Sequence, residues 1–163
     1  MTYNKFIHNQ LFKKENIFFA IVIISIFFID RFSKYIIIKK IDNSEIFFNN
    51  YVNLDLIWNT GIGFGILSTD SSIIYNLITL LIVIVILYLF YISIISKKID
   101  KLIYCIIIGG ALGNIYDRIV FQAVPDFIDI HYKNFHWFTF NFADIFISVG
   151  IISFILKSFF VND

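Results

Sequence analysis

Two carboxylates stand in runs that are otherwise nearly free of charge: Asp126 in "VPDFIDIHY" and Asp144 in "FNFADIF". Two such groups brought together in a low-dielectric site cannot both ionise easily, so one keeps a proton that the other lacks. That division suits hydrolysis of a peptide bond. The ionised member takes a proton from an attacking water, while the protonated member polarises the carbonyl and then supplies a proton to the leaving amine. No covalent intermediate is needed. Taken alone, Asp144 also fits the first turn of a helix, where the dipole favours an acid.

Other reactive residue types point elsewhere less well. Cys105 is the only cysteine and lies in an apolar run without a histidine, the setting of a buried structural thiol; no intramolecular disulfide and no cysteine cluster for a metal can form. His8, His131 and His136 make no H-E-x-x-H pattern, which argues against a zinc peptidase, and no metal is expected. There is no G-x-S-x-G elbow. "GIGFG" (Gly61 to Gly65) lacks the spacing and βαβ setting of a nucleotide loop and reads as a sharp backbone turn before a helix. A net charge of +1 gives no case for nucleic-acid binding.

The elements that must position these residues are set by hydropathy. The chain has 163 residues, 59% of them hydrophobic and only 15% charged, far from the soluble average. "IIYNLITLLIVIVILYLFYISII" carries no charge and is long enough to cross about 30 Å of hydrocarbon. With three further apolar segments the expected spans are Ile17 to Ile38, Ser71 to Ile95, Leu102 to Phe121 and Trp137 to Lys157, within one domain covering Met1 to Asp163. The basic flank "KFIHNQLFKKEN" precedes a run that ends in Asp30-Arg31 rather than a small-residue cleavage site, so it reads as a retained anchor. Between the first two spans, within Ile41 to Thr60, "YVNLDLIW" alternates apolar and polar residues after an Asn49-Asn50 turn signal, which predicts a small hairpin on the membrane surface or a plain connecting loop.

Four crossings place the end of span 1, the start of span 2, the end of span 3 and the start of span 4 on one side. The uncommon polar residues gather there: Asp30, Arg31 and Lys34; Asn59; Asn114, Asp117 and Arg118; Asp126; Asn141 and Asp144. Ionisable residues at membrane depth are costly and usually mark function. Asp30 and Lys34 have the i,i+4 spacing of a helix ion pair as well as that of a site-supporting pair. Asn114 and Asn141 also suit plain interhelical hydrogen bonds. Adjacent Asp117 and Arg118 cannot face each other, so each needs another partner. Lysines 5, 13, 14, 97, 98, 101 and 157 flank the opposite side; with Arg31, Lys34 and Arg118 taken as ion-paired, the basic bias places both termini in the cytoplasm. Two alternatives remain on these grounds, a small proton-coupled transporter and a non-catalytic membrane scaffold. The first expects polar residues throughout the membrane depth, and the second tolerates loss of the aspartates.

In order and together, several motifs resemble those of the lipoprotein signal peptidases, or signal peptidase II, a family of four-span bacterial membrane aspartyl peptidases. "DRFSK" is similar to the family's D-x-x-x-K, "NTGIGFG" to its N-x-G-A-A-F-G, "GGALGNIYDR" to its G-G-A-x-G-N-x-x-D-R, and "VPDFI" and "FNFAD" to its V-x-D-F and F-N-x-A-D. The resemblance implies an all-α membrane fold of four transmembrane helices with a small extracytoplasmic β-cradle between helices 1 and 2. It implies a catalytic pair at Asp126 and Asp144, with Asp30, Lys34, Asn59, Gly61, Asn114, Arg118, Asn141 and Ala143 supporting the site or contacting substrate. It further implies removal of signal peptides from diacylglyceryl-modified prolipoproteins, just before the lipidated cysteine and without cofactor. The expected setting is a monomer among membrane lipids in the bacterial cytoplasmic membrane, its site near the outer face. The chain departs from the family at Ile62 and Gly63, usually alanines, at Gln122, usually glycine, and at Pro125, where a β-branched residue is commoner.

Overall fold

The computed structural model describes residues 14–41, 46–61 and 71–160. In chain order the elements are α1 (Lys14–Lys40), β1 (Ile46–Asn49), β2 (Val52–Asn59), α2 (Ser72–Ile95), α3 (Lys98–Phe121), β3 (Val124–Tyr132), β4 (Phe135–Phe140) and α4 (Phe142–Phe160). All four helices are long and apolar enough to cross a membrane. Their outward faces expose Phe28, Phe32, Leu80, Leu87, Ile152 and Phe159. Water penalises such a surface by about 25 cal/mol per Å², and hydrocarbon does not.

The central helix is α3, which packs against α1, α2 and α4. Its glycines allow the close approach. A methyl group on Gly110 would stand 2.6 Å from the Ala143 carbonyl oxygen, and one on Gly113 would collide with the Asp30 carboxylate. Ile86, Ile108, Ala111 and Ile115 form the apolar core between α2 and α3, with Ile147 of α4 packed against it. Where α3 ends, Gln122 adopts the left-handed conformation (φ 55°, ψ 20°), the cap geometry that glycine meets most cheaply. The glycine that the resemblance leads one to expect here would meet this geometry without strain.

The strands make one antiparallel sheet in the order β1-β2-β3-β4. The Asn49-Asn50 turn signal is realised as an Asx turn: Asn49 Oδ1 accepts from the backbone N–H groups of Tyr51 (2.8 Å) and Val52 (3.0 Å). Pairing of β2 with β3 ties the α1–α2 connection to the α3–α4 connection, with Asn59 opposite Val124 and Ile57 opposite Asp126. Ile37, Ile41 and Phe127 seat the sheet on the end of α1.

The sheet is larger than the sequence pattern indicated, because β3 and β4 add a second hairpin between α3 and α4. Trp137 to Phe140 belong to β4, and α4 begins at Phe142 rather than at Trp137. Aromatic and β-branched residues suit a strand as well as a membrane helix, so apolar continuity concealed the boundary.

Candidate active site

Asn141 marks that boundary and connects the two aspartates. Asn141 caps α4: its Oδ1 accepts from the backbone N–H of Asp144 (3.1 Å), and Asp144 Oδ2 accepts from the backbone N–H of Asn141 (3.2 Å). This reciprocal capping box fixes Asp144 in the first turn of the helix. The Asn141 amide nitrogen remains free to donate to Asp126 Oδ1 at 2.6 Å. One residue therefore holds both carboxylates, one on β3 and one on α4. Asp126 is 2% exposed and Asp144 7%.

Each carboxylate has a second amide partner. Asn59 Nδ2 donates to Asp126 Oδ2 at 2.8 Å, and Asn114 Nδ2 donates to Asp144 Oδ1 at 2.8 Å. Behind Asn114 lies Lys34, whose ammonium makes three hydrogen bonds: to Asn114 Oδ1 (2.9 Å), Asp30 Oδ2 (2.9 Å) and Asp117 Oδ2 (2.7 Å). That uses every donor a lysine has. The side chains of Lys34, Asp30 and Asp117 are completely buried. Asp30 Oδ1 accepts from the backbone N–H of Ala143 at 3.0 Å, so α1 holds the first turn of α4 directly.

On the β2 side, Gly61 N donates to Asn59 Oδ1 at 2.7 Å, and Arg118 donates to the Gly61 carbonyl. The Arg118 guanidinium lies over the Tyr75 ring, 5.3 Å from its centroid. The hydrogen bonds thus join Asp126, Asp144, Asp30, Lys34, Asn59, Gly61, Asn114, Arg118, Asn141 and Ala143 into one connected network. Sequence reasoning gave Arg118 an ion-pair partner; among the described residues it has a backbone carbonyl and a ring face instead. Arg31 does pair as expected, with Asp117, and Lys34 with Asp30 and Asp117.

Asp117 and Arg31, which the sequence places on this side without a named role, also join the network. Their signal was helical spacing: Asp117 lies three residues beyond Asn114, and Arg31 three before Lys34, on the faces that meet. The departures at Ile62 and Gly63 lie outside the described residues. Pro125 is a buried member of β3, paired with Trp58.

Burial pushes the Asp126 carboxyl up to about 7, helped by the nearby charge of Asp144 and opposed by the Asn59 and Asn141 amides and the Lys34 ammonium. A carboxyl poised near neutrality in a pair can hold a proton and give it up at neutral pH. Among the described residues a group with the spacing to hold a metal, Asp129, His131 and His136, gathers elsewhere, on the β3–β4 hairpin.

A family model described as signal peptidase (SPase) II matches residues 22–160. The chain is similar to proteins named lipoprotein signal peptidase. It is 46% identical over 153 residues to that of Pelagibacter ubique, covering 91% of this chain and 92% of that one. It is 35% identical over 149 residues to that of Francisella tularensis subsp. novicida, covering 88% and 92%. A solved structure described as a bacterial membrane enzyme aligns with a TM-score of 0.71 at 26% identity, covering 86% of this chain and 87% of that one. A second structure so described, at 24% identity and a TM-score of 0.68, shares the fold. With four membrane-length helices and these matches along nearly its whole length, the chain belongs to the signal peptidase II family of bacterial multi-pass membrane peptidases.

Proposed function

We propose that this protein is an aspartic endopeptidase that removes the signal peptide from diacylglyceryl-modified prolipoproteins, cleaving just before the lipidated cysteine, with Asp126 and Asp144 as the catalytic pair. The observation that carries the reading is the bridge through Asn141, which holds two buried carboxylates from different elements in one hydrogen-bonded site. In this reading the proton is drawn on Asp126, whose carboxyl burial pushes up to about 7. Asp144 accepts the proton of the attacking water as its oxygen bonds to the scissile carbonyl carbon. Asp126 hydrogen-bonds the carbonyl oxygen, and as the tetrahedral intermediate collapses the leaving amine takes a proton from the pair. The C–N bond breaks, and the pair ends with the single proton it began with.

Asp30, Lys34, Asn59, Gly61, Asn114, Arg118, Asn141 and Ala143 act in this reading by holding the pair in place, without cofactor. The chain is a single peptidase domain and works as a monomer among membrane lipids. Both termini face the cytoplasm and the site lies near the outer face of the cytoplasmic membrane. The basic residues favour this orientation, with Lys5, Lys13, Lys14, Lys97, Lys98, Lys101 and Lys157 on the cytoplasmic side. The diacylglyceryl anchor would fix the depth of the scissile bond and so supply part of the positioning that lowers the barrier.

The test is cleavage of a diacylated prolipoprotein by purified wild type, Asp126→Asn and Asp144→Asn. Both variants are expected to insert and fold yet leave the substrate uncut. Turnover near the wild-type rate in either one removes that residue from the pair.

A further inference from the structure

The β3–β4 hairpin carries a second cluster of chemistry-bearing side chains that the peptidase reading leaves without a role. Asp129 and His131 are two apart on β3 and so share a face. Across the hairpin the register shifts between Ile130 and His131: Ile130 pairs with Phe138, but His131 pairs with His136. The irregularity skips Trp137 and places a second imidazole, rather than an indole, opposite His131. Bulges commonly re-aim a side chain in this way next to functional sites.

The three side chains converge. His136 Nδ1 lies 2.7 Å, and His131 Nδ1 3.4 Å, from the same atom, Asp129 Oδ2. One ligand atom from each residue lies within 4.8 Å of the others. Asp129 and His131 are 4% and 6% exposed, while the His136 side chain is 55% exposed, so the cluster opens to solvent on one side. A hairpin staple needs only the contact between Asp129 and His136. It leaves His131 Nδ1 buried and without a hydrogen bond, a state that costs about 1–3 kcal/mol.

Coordination accounts for the arrangement as a whole. Tetrahedral zinc with bonds of about 2.0–2.2 Å sets its donor atoms roughly 3.3 Å apart, a separation that the two observed distances bracket. Two imidazoles and one carboxylate suit a borderline ion such as Zn²⁺ rather than Mg²⁺ or Ca²⁺, which take oxygen. We infer that Asp129, His131 and His136 form a three-ligand site for a divalent transition metal of the Zn²⁺ class, its fourth position open to water beside His136. Asp129 is three residues beyond Asp126 along β3, about 10 Å at the rise of a strand, and alternation directs the two to opposite faces. The ion is therefore a clamp and not a catalyst. It fastens the strand that carries Asp126 to the strand that runs into Asn141.

Tag-free, chelator-washed full-length protein is titrated with ZnCl₂ by calorimetry, alongside His136→Ala and Asp126→Asn. The expected result is saturable binding of one ion per chain, weakened at least tenfold in His136→Ala and unchanged in Asp126→Asn. His136 is largely exposed, so its replacement leaves the fold intact, as circular dichroism of the variant would verify. Absorption spectroscopy of the loaded protein should show only nitrogen and oxygen neighbours at about 2.0 Å. Absence of saturable binding, binding undiminished in His136→Ala, or binding lost in Asp126→Asn would each overturn the assignment.

Discussion

Replacing Asp126 with asparagine should separate stability from activity, and the structure gives the size of the separation. The Asp126 carboxyl sits near 7 in the folded protein against 3.8 in an ordinary setting. Between those values the native state binds the proton more tightly than the unfolded chain does. The stabilisation is therefore full below about pH 4 and disappears as pH rises through 7. At 1.36 kcal/mol per pH unit the interval amounts to up to about 4 kcal/mol. Asparagine removes this slope because it does not ionise. It also turns one acceptor oxygen into an amide facing the Asn59 or Asn141 donor, a pH-independent loss of about 1 kcal/mol. The variant should then be less stable than wild type at pH 4, equal to it between about pH 4 and 5, and more stable by up to about 3 kcal/mol at pH 7.5. Thermal unfolding in detergent from pH 4 to 8, run beside the cleavage assay, measures both properties. Parallel stability profiles would refute the claim that Asp126 is a desolvated carboxyl titrating near neutrality; turnover in the variant would refute its role in the chemistry.

The same network makes further predictions. Lys34→Met removes three hydrogen bonds and one of the two cations, Lys34 and Arg31, that face the buried Asp30 and Asp117 carboxylates, so it should cost about 3–5 kcal/mol, visible as a large fall in Tm. Lys34→Arg should not rescue it, because a planar guanidinium cannot replace a compact ammonium among three converging acceptors. Asn141→Ala should lose about 1 kcal/mol of capping and about 100-fold in kcat from displaced carboxylates; Asn141→Ser should restore the cap but not the rate, since a hydroxyl on this short side chain does not reach Asp126. Gln122→Gly should raise stability by about 1 kcal/mol by relieving a left-handed residue at the end of α3, with cleavage unaffected.

How much was legible beforehand depended on whether the signal was local. Asp126 and Asp144 stood out because a carboxylate inside an apolar run is expensive wherever it sits. Asn114 and Asn141 followed from the side of the bundle to which four crossings assign them. The β-hairpin after α1 was readable because its strand alternates and its turn has an Asn signal. The second hairpin was not: "FHWFTF" is mostly aromatic, which suits a membrane helix as well as a strand, and the Asn141 cap that ends it can be recognised only once α4 is known to begin there. The Asp129, His131 and His136 cluster depends on a shift of one residue in strand pairing, which no sequence period records. Arg118 was given an ion pair on charge alone, whereas among the described residues the fold supplies the Gly61 carbonyl and the Tyr75 ring.

These non-local contacts bear on why a carboxyl pair is built where charge is costly. Asp30, Arg31, Lys34 and Asp117 make a buried set with two charges of each sign, so the set balances itself. It is hydrogen-bonded to Asp144 through one neutral amide, Asn114, and to α4 through one backbone N–H, that of Ala143. A lysine ion-paired directly to the dyad would hold both carboxylates ionised and leave no proton to donate. Burial has the opposite effect on Asp126, outweighing its Asn59 and Asn141 amide donors and keeping its proton available near neutrality. The charged residues fix where α1, α3 and α4 meet, the amides fix where the carboxylates point, and low polarity sets the proton's affinity. Shifting the strand–helix boundary at Asn141 by one residue would disturb the last two together, because the same side chain caps α4 and holds Asp126.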